Sequence, residues 1–282
     1  MKLYLKLIKY YLNLFSYVAP KYAGKIAVKM FQKIRLRKIK PKEELFYQKA
    51  HSFSIKNKYN NIAFKYYELG DPKGKLVFLI HGWDSNAGSL SQFAFELAKK
   101  EYRVISIDLP AHAYSKGTHT NLFICKDALV SLINHINPEE PFSIIGHSFG
   151  AAVATYAVAE LDYPLNKIVL LSANNIMRTI FEDYQKFIGY NNIIHQEVCD
   201  WVKQTINDDL DSLVLSDKLK QINYNDLLII HDKFDKVLPF DSALEIKEAI
   251  PNSKLIPFEK IGHYRMLWNE DVINETIKFI NK

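Results

Sequence analysis

The stretch that most constrains this chain runs Phe142-Ser143-Ile144-Ile145-Gly146-His147-Ser148-Phe149-Gly150-Ala151-Ala152. A short apolar run climbs into a glycine, three residues lead to a second glycine, and small residues then open a helical pattern. That is the arrangement of a sharp strand-to-helix turn with a serine hydroxyl held out at its tip, the G-x-S-x-G nucleophile elbow. The glycines serve close approach of strand and helix and the strained backbone such a turn needs. A chain built around this turn needs a buried strand before it and a packed helix after it.

The flanking sequence supplies both, repeatedly. Phe53 to Lys56 and Ile62 to Leu69 alternate as antiparallel strands would, with a turn over 57–61. Leu76 to Ile80 is a continuous apolar run, as expected of a strand buried on both faces. Helical and strand patterns then alternate: a helix over about 89–100, a strand at Val104 to Ile107, a helix over about 121–136, the strand Phe142 to Ile145 and a helix to about Glu160. A strand follows at Ile168 to Leu171. After an interruption come a strand at Leu227 to Ile230, a helix over 241–250, a strand at Lys254 to Pro257 and a closing helix over 270–281. The pattern predicts an α/β domain, a doubly wound and mostly parallel sheet with helices on both faces. The interruption, at about 174–224, is helical and aromatic-rich, with Phe181, Tyr184, Phe187, Tyr190 and Trp201. A helical insertion of that length inside a sheet is most simply a lid.

Charge separates the first forty residues from the rest. Of 37 Lys and Arg against 31 Asp and Glu, eleven basic and no acidic residues lie in 1–40, leaving 26 basic against 31 acidic in the body. The net charge of +6 therefore belongs to an appendage and gives no reason to expect nucleic acid as a partner. Lys2, Lys6, Lys9, Asn13 and Ser16 form a polar stripe about 80° wide on one helical pattern, and nearly everything else in it is apolar. Pro20 ends it, and a second amphipathic pattern places Lys21, Lys25, Lys29 and Lys33 opposite Ala23, Ile26, Ala27, Met30, Phe31 and Ile34. No stretch here is long enough for a membrane span of ~20 apolar residues. As a signal segment it has a basic start, yet Asn13 interrupts its apolar centre and Pro20 follows Ala19 where a cleavage site would be. Three readings stay open: interfacial helices on an anionic membrane surface, helices packed on the body or on a second copy, or a signal segment. The expected organisation is a basic helical extension at 1–44 and one domain at 45–282 carrying the insertion. Cys125 and Cys199 have neither zinc spacing nor a disulfide framework, which favours a reduced, cytoplasmic setting.

A serine hydroxyl needs a base, an orienter for that base, and donors for an oxyanion. In doubly wound sheets these groups come from loops at the carboxyl ends of strands. After Leu76 to Ile80 comes His81-Gly82-Trp83, where the glycine lets the Trp83 N–H turn towards an oxyanion. The N–H of Phe149, next after the serine, is the second candidate donor. After Leu227 to Ile230 comes His231-Asp232-Lys233-Phe234-Asp235-Lys236-Val237-Leu238-Pro239. Asp235, deeper in the loop and ahead of Val237 and the rigid Pro239, is the better orienter; Asp232 reads as a solvated turn residue. After the last strand, His263 follows Gly262 and completes the order Ser, Asp, His along the chain. His51, His112, His119, His135, His147, His195 and His231 read as surface or core residues, and His81 as a residue shaping the oxyanion loop.

From about residue 50 the chain resembles the α/β hydrolases, in HGW at 81–83, DLPAH at 108–112, GHSFG at 146–150, HDKFDKVLP at 231–239 and GH at 262–263. The resemblance implies the α/β-hydrolase fold, a triad of Ser148, Asp235 and His263, oxyanion donors Trp83 and Phe149, and no metal or organic cofactor. Two departures stand out. Ala111 and Ala113 occupy positions where the family's Asp-x-Pro-Gly-His-Gly has glycine, which puts that turn in question, and Asp232 stands where glycine is frequent. The implied activity is hydrolysis of small carboxylic esters through an acyl-enzyme, with an apolar acyl group suggested by the aromatic insertion. Thioester or carbon–carbon bond hydrolysis on the same triad is the alternative, and a non-catalytic binding or membrane-associated protein keeping the fold is the reading from another class. Oligomeric state is open.

Overall fold

The computed structural model describes residues 2–35 and 38–282, so Arg37 of the basic segment lies outside the described residues. Its helices are α1 (Lys2–Ser16), α2 (Pro20–Gln32), α3 (Pro41–Lys49), α4 (Ser91–Ala98), α5 (Leu122–Ile136), α6 (Phe149–Val158), α7 (Met177–Ile188), α8 (Asn192–Ile206), α9 (Leu215–Leu219), α10 (Asp241–Ala249) and α11 (Glu270–Ile280). Its strands are β1 (His51–Lys56), β2 (Ala63–Gly70), β3 (Leu76–Ile80), β4 (Arg103–Asp108), β5 (Phe142–His147), β6 (Leu165–Leu171), β7 (Tyr224–Asp232) and β8 (Lys254–Phe258). These elements fall into two compact units, one of residues 1–33 with 176–214, the other of 34–175 with 215–282.

The larger unit holds one sheet, in the order β1-β2-β4-β3-β5-β6-β7-β8. β1 and β2 are antiparallel to their neighbours, and all strands from β4 through β8 run parallel. This is the doubly wound, mostly parallel sheet that the alternating pattern predicts. Val77 to Ile80 have no accessible surface, because successive side chains point to opposite faces and both faces are covered. Val77, Leu79, Ile145, Val169, Leu171, Leu228 and Ile230 pack on one side with Leu90, Phe93 and Leu97 of the α4 region and Val272, Ile273 and Ile277 of α11. The other side is covered by α5 and α6, which pack against each other, α6 also meeting β3, β5 and β6. From β3 the chain steps to β4 on one side and returns to β5 on the other. The pair β3/β5 is therefore the topological switch point, where strand ends leave an open crevice.

The larger unit takes in the chain from Ile34. Ile34 donates its N–H to Thr118 O at 3.1 Å, and α3 contributes Phe46, 1% exposed, to the core. Cys125 is buried, its thiol pushed up to about 12 by burial, as a small core hydrophobe would be.

The smaller unit brings α1 and α2 together with α7 and α8. Its core is Leu12, Ala23, Ala27 and Val28 against Ile188, Tyr190, Ile194 and Val198. Phe31 sits between Phe181 and Tyr184, at ring-centroid distances of 4.9 and 5.0 Å. An antiparallel bridge between Ile176 and Val214 closes the ends of the inserted segment. The C-terminal part of the α1 polar stripe turns inward here. Asn13 Nδ2 donates to Gly189 O at 3.1 Å while Asn191 N–H donates to Asn13 Oδ1 at 2.7 Å. Asn191 Nδ2 donates to Ser16 Oγ at 2.9 Å.

Candidate active site

Parallel register sets the first part of the site. Ile80 of β3 pairs with Gly146 of β5, and His147 with Leu171 of β6. The residues leaving β3 thus stand level with Ser148. A Cβ built on Gly82 would lie 3.2 Å from Ser148 Cβ and 3.0 Å from His147 Nδ1, so the backbone of the 81–83 loop passes directly beside the serine. Ser148 has φ 53° and ψ −122°, a left-handed conformation that costs a non-glycine residue about 1–2 kcal/mol. Its N–H donates to Leu171 O at 2.8 Å. The flanking glycines make the turn fit: a Cβ on Gly146 would meet Ala151 Cα at 2.6 Å, and one on Gly150 would run into the carbonyls of Ile80 and His81. Ser148 itself is half-buried while all of β5 beneath it is buried. Phe149 is the first residue of α6, where a backbone N–H has no partner within the helix and the helix dipole favours negative charge.

Two neutral imidazoles brace the 81–84 loop. His81, without accessible surface, donates Nδ1–H to Gly82 O at 2.7 Å and accepts at Nε2 from Leu109 N–H at 3.0 Å. Burial and the neighbouring His112 hold its pKa well below the usual imidazole range, which suits a ring that must accept at one nitrogen. His112 accepts from Asp84 N–H at 3.2 Å, and its Nδ1 lies 3.1 Å from Pro110 O. The Trp83 and Phe149 rings meet edge-on at 5.0 Å. The Ala111 and Ala113 turn forms regardless of the missing glycines, with both alanines at positive φ, 70° and 37°.

His263 and Asp235 meet on the other side. Their Nδ1 and Oδ2 are 2.7 Å apart, with both side chains almost without accessible surface. Burial alone would raise the Asp235 pKa. The hydrogen bond and charge of His263, with the N–H groups of Val237 and Leu238 at 2.8 and 3.2 Å, instead hold it down to about 2. Ser172 Oγ–H donates to the same Oδ2 at 3.0 Å. His147 Nε2–H donates to His263 O at 3.0 Å. Burial, with the neighbouring His263, pushes the His147 pKa down to about 3, so this ring is neutral.

Asp232 is no solvated turn residue. It has no accessible surface; Oδ1 accepts from Phe234 N–H at 2.8 Å and Lys260 N–H at 3.1 Å, and Oδ2 accepts from Gly262 N–H. One carboxylate thus ties the loop of Asp235 to the loop of His263. His147, His231 and Ser172 also belong to this cluster, His231 Nε2 lying 3.7 Å from Asp235 Oδ2. Position was the only available signal for them: His147 and His231 stand at the carboxyl ends of strands expected to deliver a functional group, and Ser172 follows β6, from which none was expected. A cleft of about 490 Å³ opens nearby in the same unit, lined by Lys40, Lys42, Ser85, Lys260, Tyr264 and Arg265 among others. Among the described residues, no three His, Cys, Asp or Glu side chains cluster as a metal site would require.

A mostly parallel eight-stranded sheet, with a left-handed serine at its switch point and a His–Asp pair on adjacent loops, is the architecture of an α/β hydrolase. Residues 75–197 match the family model described as alpha/beta hydrolase fold, and the chain has the α/β-hydrolase fold. A 2-hydroxy-6-oxo-6-(2'-aminophenyl)hexa-2,4-dienoic acid hydrolase of Metapseudomonas resinovorans is 23% identical, over 86% of this chain and 96% of its own length. A magnesium-chelatase 30 kDa subunit of Rhodobacter capsulatus is 34% identical over 38% of this chain and 37% of its own length. A putative lipase from Acinetobacter baumannii superposes with a TM-score of 0.65 at 20% identity, over 86% of this chain and 97% of its own.

Proposed function

We propose that this protein is a serine hydrolase that cleaves carboxylic esters through Ser148, His263 and Asp235. The observation that carries the reading is the left-handed Ser148 at the switch point, alongside a histidine whose Nδ1 is held 2.7 Å from a buried carboxylate. Asp235 keeps the imidazole in the tautomer that leaves Nε2 as an acceptor. Ser148 Oγ attacks the ester carbonyl carbon as its proton passes to His263. The N–H groups of Trp83 and Phe149 stabilise the oxyanion. The alcohol leaves with the proton from His263, and water, deprotonated by the same histidine, releases the acid.

One observation supports a second reading, carbon–carbon bond hydrolysis of a carboxylate-bearing substrate. The Metapseudomonas relative, 23% identical over 86% of this chain, is named for a dienoic acid. Two experiments test the proposal. A fluorophosphonate probe labels the wild-type chain and not Ser148→Ala; labelling of both removes Ser148 from the role. A series of p-nitrophenyl esters, acyl thioesters and 6-oxo-dienoates then ranks the chemistries, and turnover of the dienoate alone replaces the ester reading with the second one.

A further inference from the structure

With Asn13 and Ser16 turned inward, α1 presents its other side to solvent. Leu7, Tyr10, Tyr11, Leu14, Phe15 and Val18 are all exposed, from 40% for Phe15 to 84% for Val18. At ~100° per residue the five on α1 fall on one arc of the helix about 140° wide, and Val18 follows in the turn after it. On α2, Tyr22 and Ile26 are 67% and 44% exposed, with Lys21, Lys25 and Lys29 exposed beside them. Lys6 and Lys9 of α1 and Lys33 after α2 are exposed as well. Residues 1–40 contain no acidic side chain. A contiguous apolar face of this kind on a compact unit marks an interaction surface, and its charge selects what covers it.

A second copy is a poor partner, because a two-fold contact sets each patch against itself and lysine against lysine. An anionic bilayer accepts both components of the face. Tyrosines settle at headgroup level, leucine and phenylalanine enter the acyl boundary, and lysine stems lie along the apolar surface while their ammonium groups reach phosphate. No helix among the described residues is long and apolar enough to cross a membrane, so attachment is in the interfacial plane. We propose that α1 and α2 form a docking surface for anionic lipid bilayers, with Leu7, Tyr10, Tyr11, Leu14, Phe15 and Val18 as the inserted face.

The test is co-sedimentation of the full chain with extruded vesicles of phosphatidylcholine alone or mixed with phosphatidylserine, with circular dichroism as the folding control. The expected result is binding to the phosphatidylserine vesicles, about tenfold or more weaker on phosphatidylcholine alone, and weakened by salt. Leu14→Asp with Phe15→Asp abolishes it. Lys21→Gln with Lys25→Gln and Lys29→Gln, which touches no apolar residue, reduces binding to the anionic vesicles about tenfold or more. Failure of the wild-type chain to bind, or binding unchanged in either folded variant, overturns the proposal. A dimer of the wild-type chain in analytical ultracentrifugation that dissociates with Leu14→Asp and Phe15→Asp, without wild-type vesicle binding, assigns the face to a second copy.

Discussion

At the rim of the larger unit, carboxylates and imidazoles are buried and the apolar residues lie below them in the sheet. On α1 of the smaller unit a serine is buried and an asparagine half-buried, while tyrosines, leucines and a phenylalanine face outward. Both arrangements obey one rule. A buried polar group is tolerated when its hydrogen bonds are made, and in each case backbone groups from a neighbouring loop make them. Asp232 takes three backbone N–H donors, and Asn13 satisfies one backbone carbonyl and one backbone N–H of the 189–191 loop. Periodicity thus tells how a helix's faces differ; which face points inward depends on the partners that the rest of the chain brings to it.

The largest effect expected separates the two acids of the 231–239 loop. Asp235→Asn should lower kcat on a good ester substrate by about 10⁴-fold while leaving the fold intact, through loss of the imidazole tautomer. Asp232→Asn should act chiefly on stability. Its new amide would face N–H donors, at a cost of about 1–3 kcal/mol in denaturant unfolding, with a smaller loss of kcat through the loosened His263 loop. If Asp232→Asn loses activity as completely as Asp235→Asn at unchanged stability, the division of labour is reversed.

The smaller unit is probed by exchanging its faces. Asn13→Leu should destabilise by about 1–3 kcal/mol because it leaves Gly189 O and Asn191 N–H without partners. Tyr10→Ser, on the exposed arc, should change unfolding free energy by about 0.5 kcal/mol or less. An apolar gain at position 13 and a large loss at position 10 would mean that the tyrosine face is the buried one.

A third test concerns Asp108, which has no accessible surface and accepts hydrogen bonds from Tyr47, Tyr67 and the N–H groups of Ala87 and Tyr114. Burial outweighs these bonds and raises its pKa to about 6. Because the folded state keeps this proton to higher pH than the unfolded state does, the Asp108 contribution to stability falls as pH rises between about 4 and 6. His147, held neutral, acts in the opposite direction, losing its contribution as pH drops below the usual imidazole value of about 6.5. Subtracting Asp108→Asn from wild type cancels the His147 part. The difference in unfolding free energy should decline by about 1–3 kcal/mol across that interval; a flat difference would mean that Asp108 stays ionised throughout.

Much of the fold was readable because strands buried on both faces appear as uninterrupted apolar runs, and their alternation with helices leaves few topologies. Ser148, Asp235 and His263 are proposed on the same ground, each standing at or beyond the carboxyl end of a strand of the parallel sheet. The burial of Asp232 was not readable. A carboxylate two residues before Phe234 looks like an ordinary turn former, and the Lys260 and Gly262 N–H groups that bury it come from 28 and 30 residues further along. Ser172 was missed similarly, its hydroxyl reaching a carboxylate 63 residues away. Nor could the direction of α1 be read from its own periodicity, since the 189–191 loop that bonds Asn13 is about 176 residues distant.

The smallest effect expected lies at the turn that the missing glycines put in question. Ala113 sits at φ 37° and is half-buried, while Ala111 sits at φ 70° with no accessible surface. A left-handed alanine is less favourable than glycine by about 1–2 kcal/mol, but glycine gives back about 0.5–1 kcal/mol in unfolded-state entropy. Ala113→Gly should therefore stabilise by roughly 0.5 kcal/mol. At position 111 the methyl lies 3.5 Å from where a Cβ on Gly117 would stand, in a fully buried site whose lost contact offsets the relieved strain. Ala111→Gly should be neutral to slightly destabilising. If both substitutions stabilise equally in urea unfolding, backbone strain alone sets the energy of this turn; if neither does, the His112 hydrogen bonds to Asp84 and Pro110 hold it, and the alanines carry no strain that glycine would release.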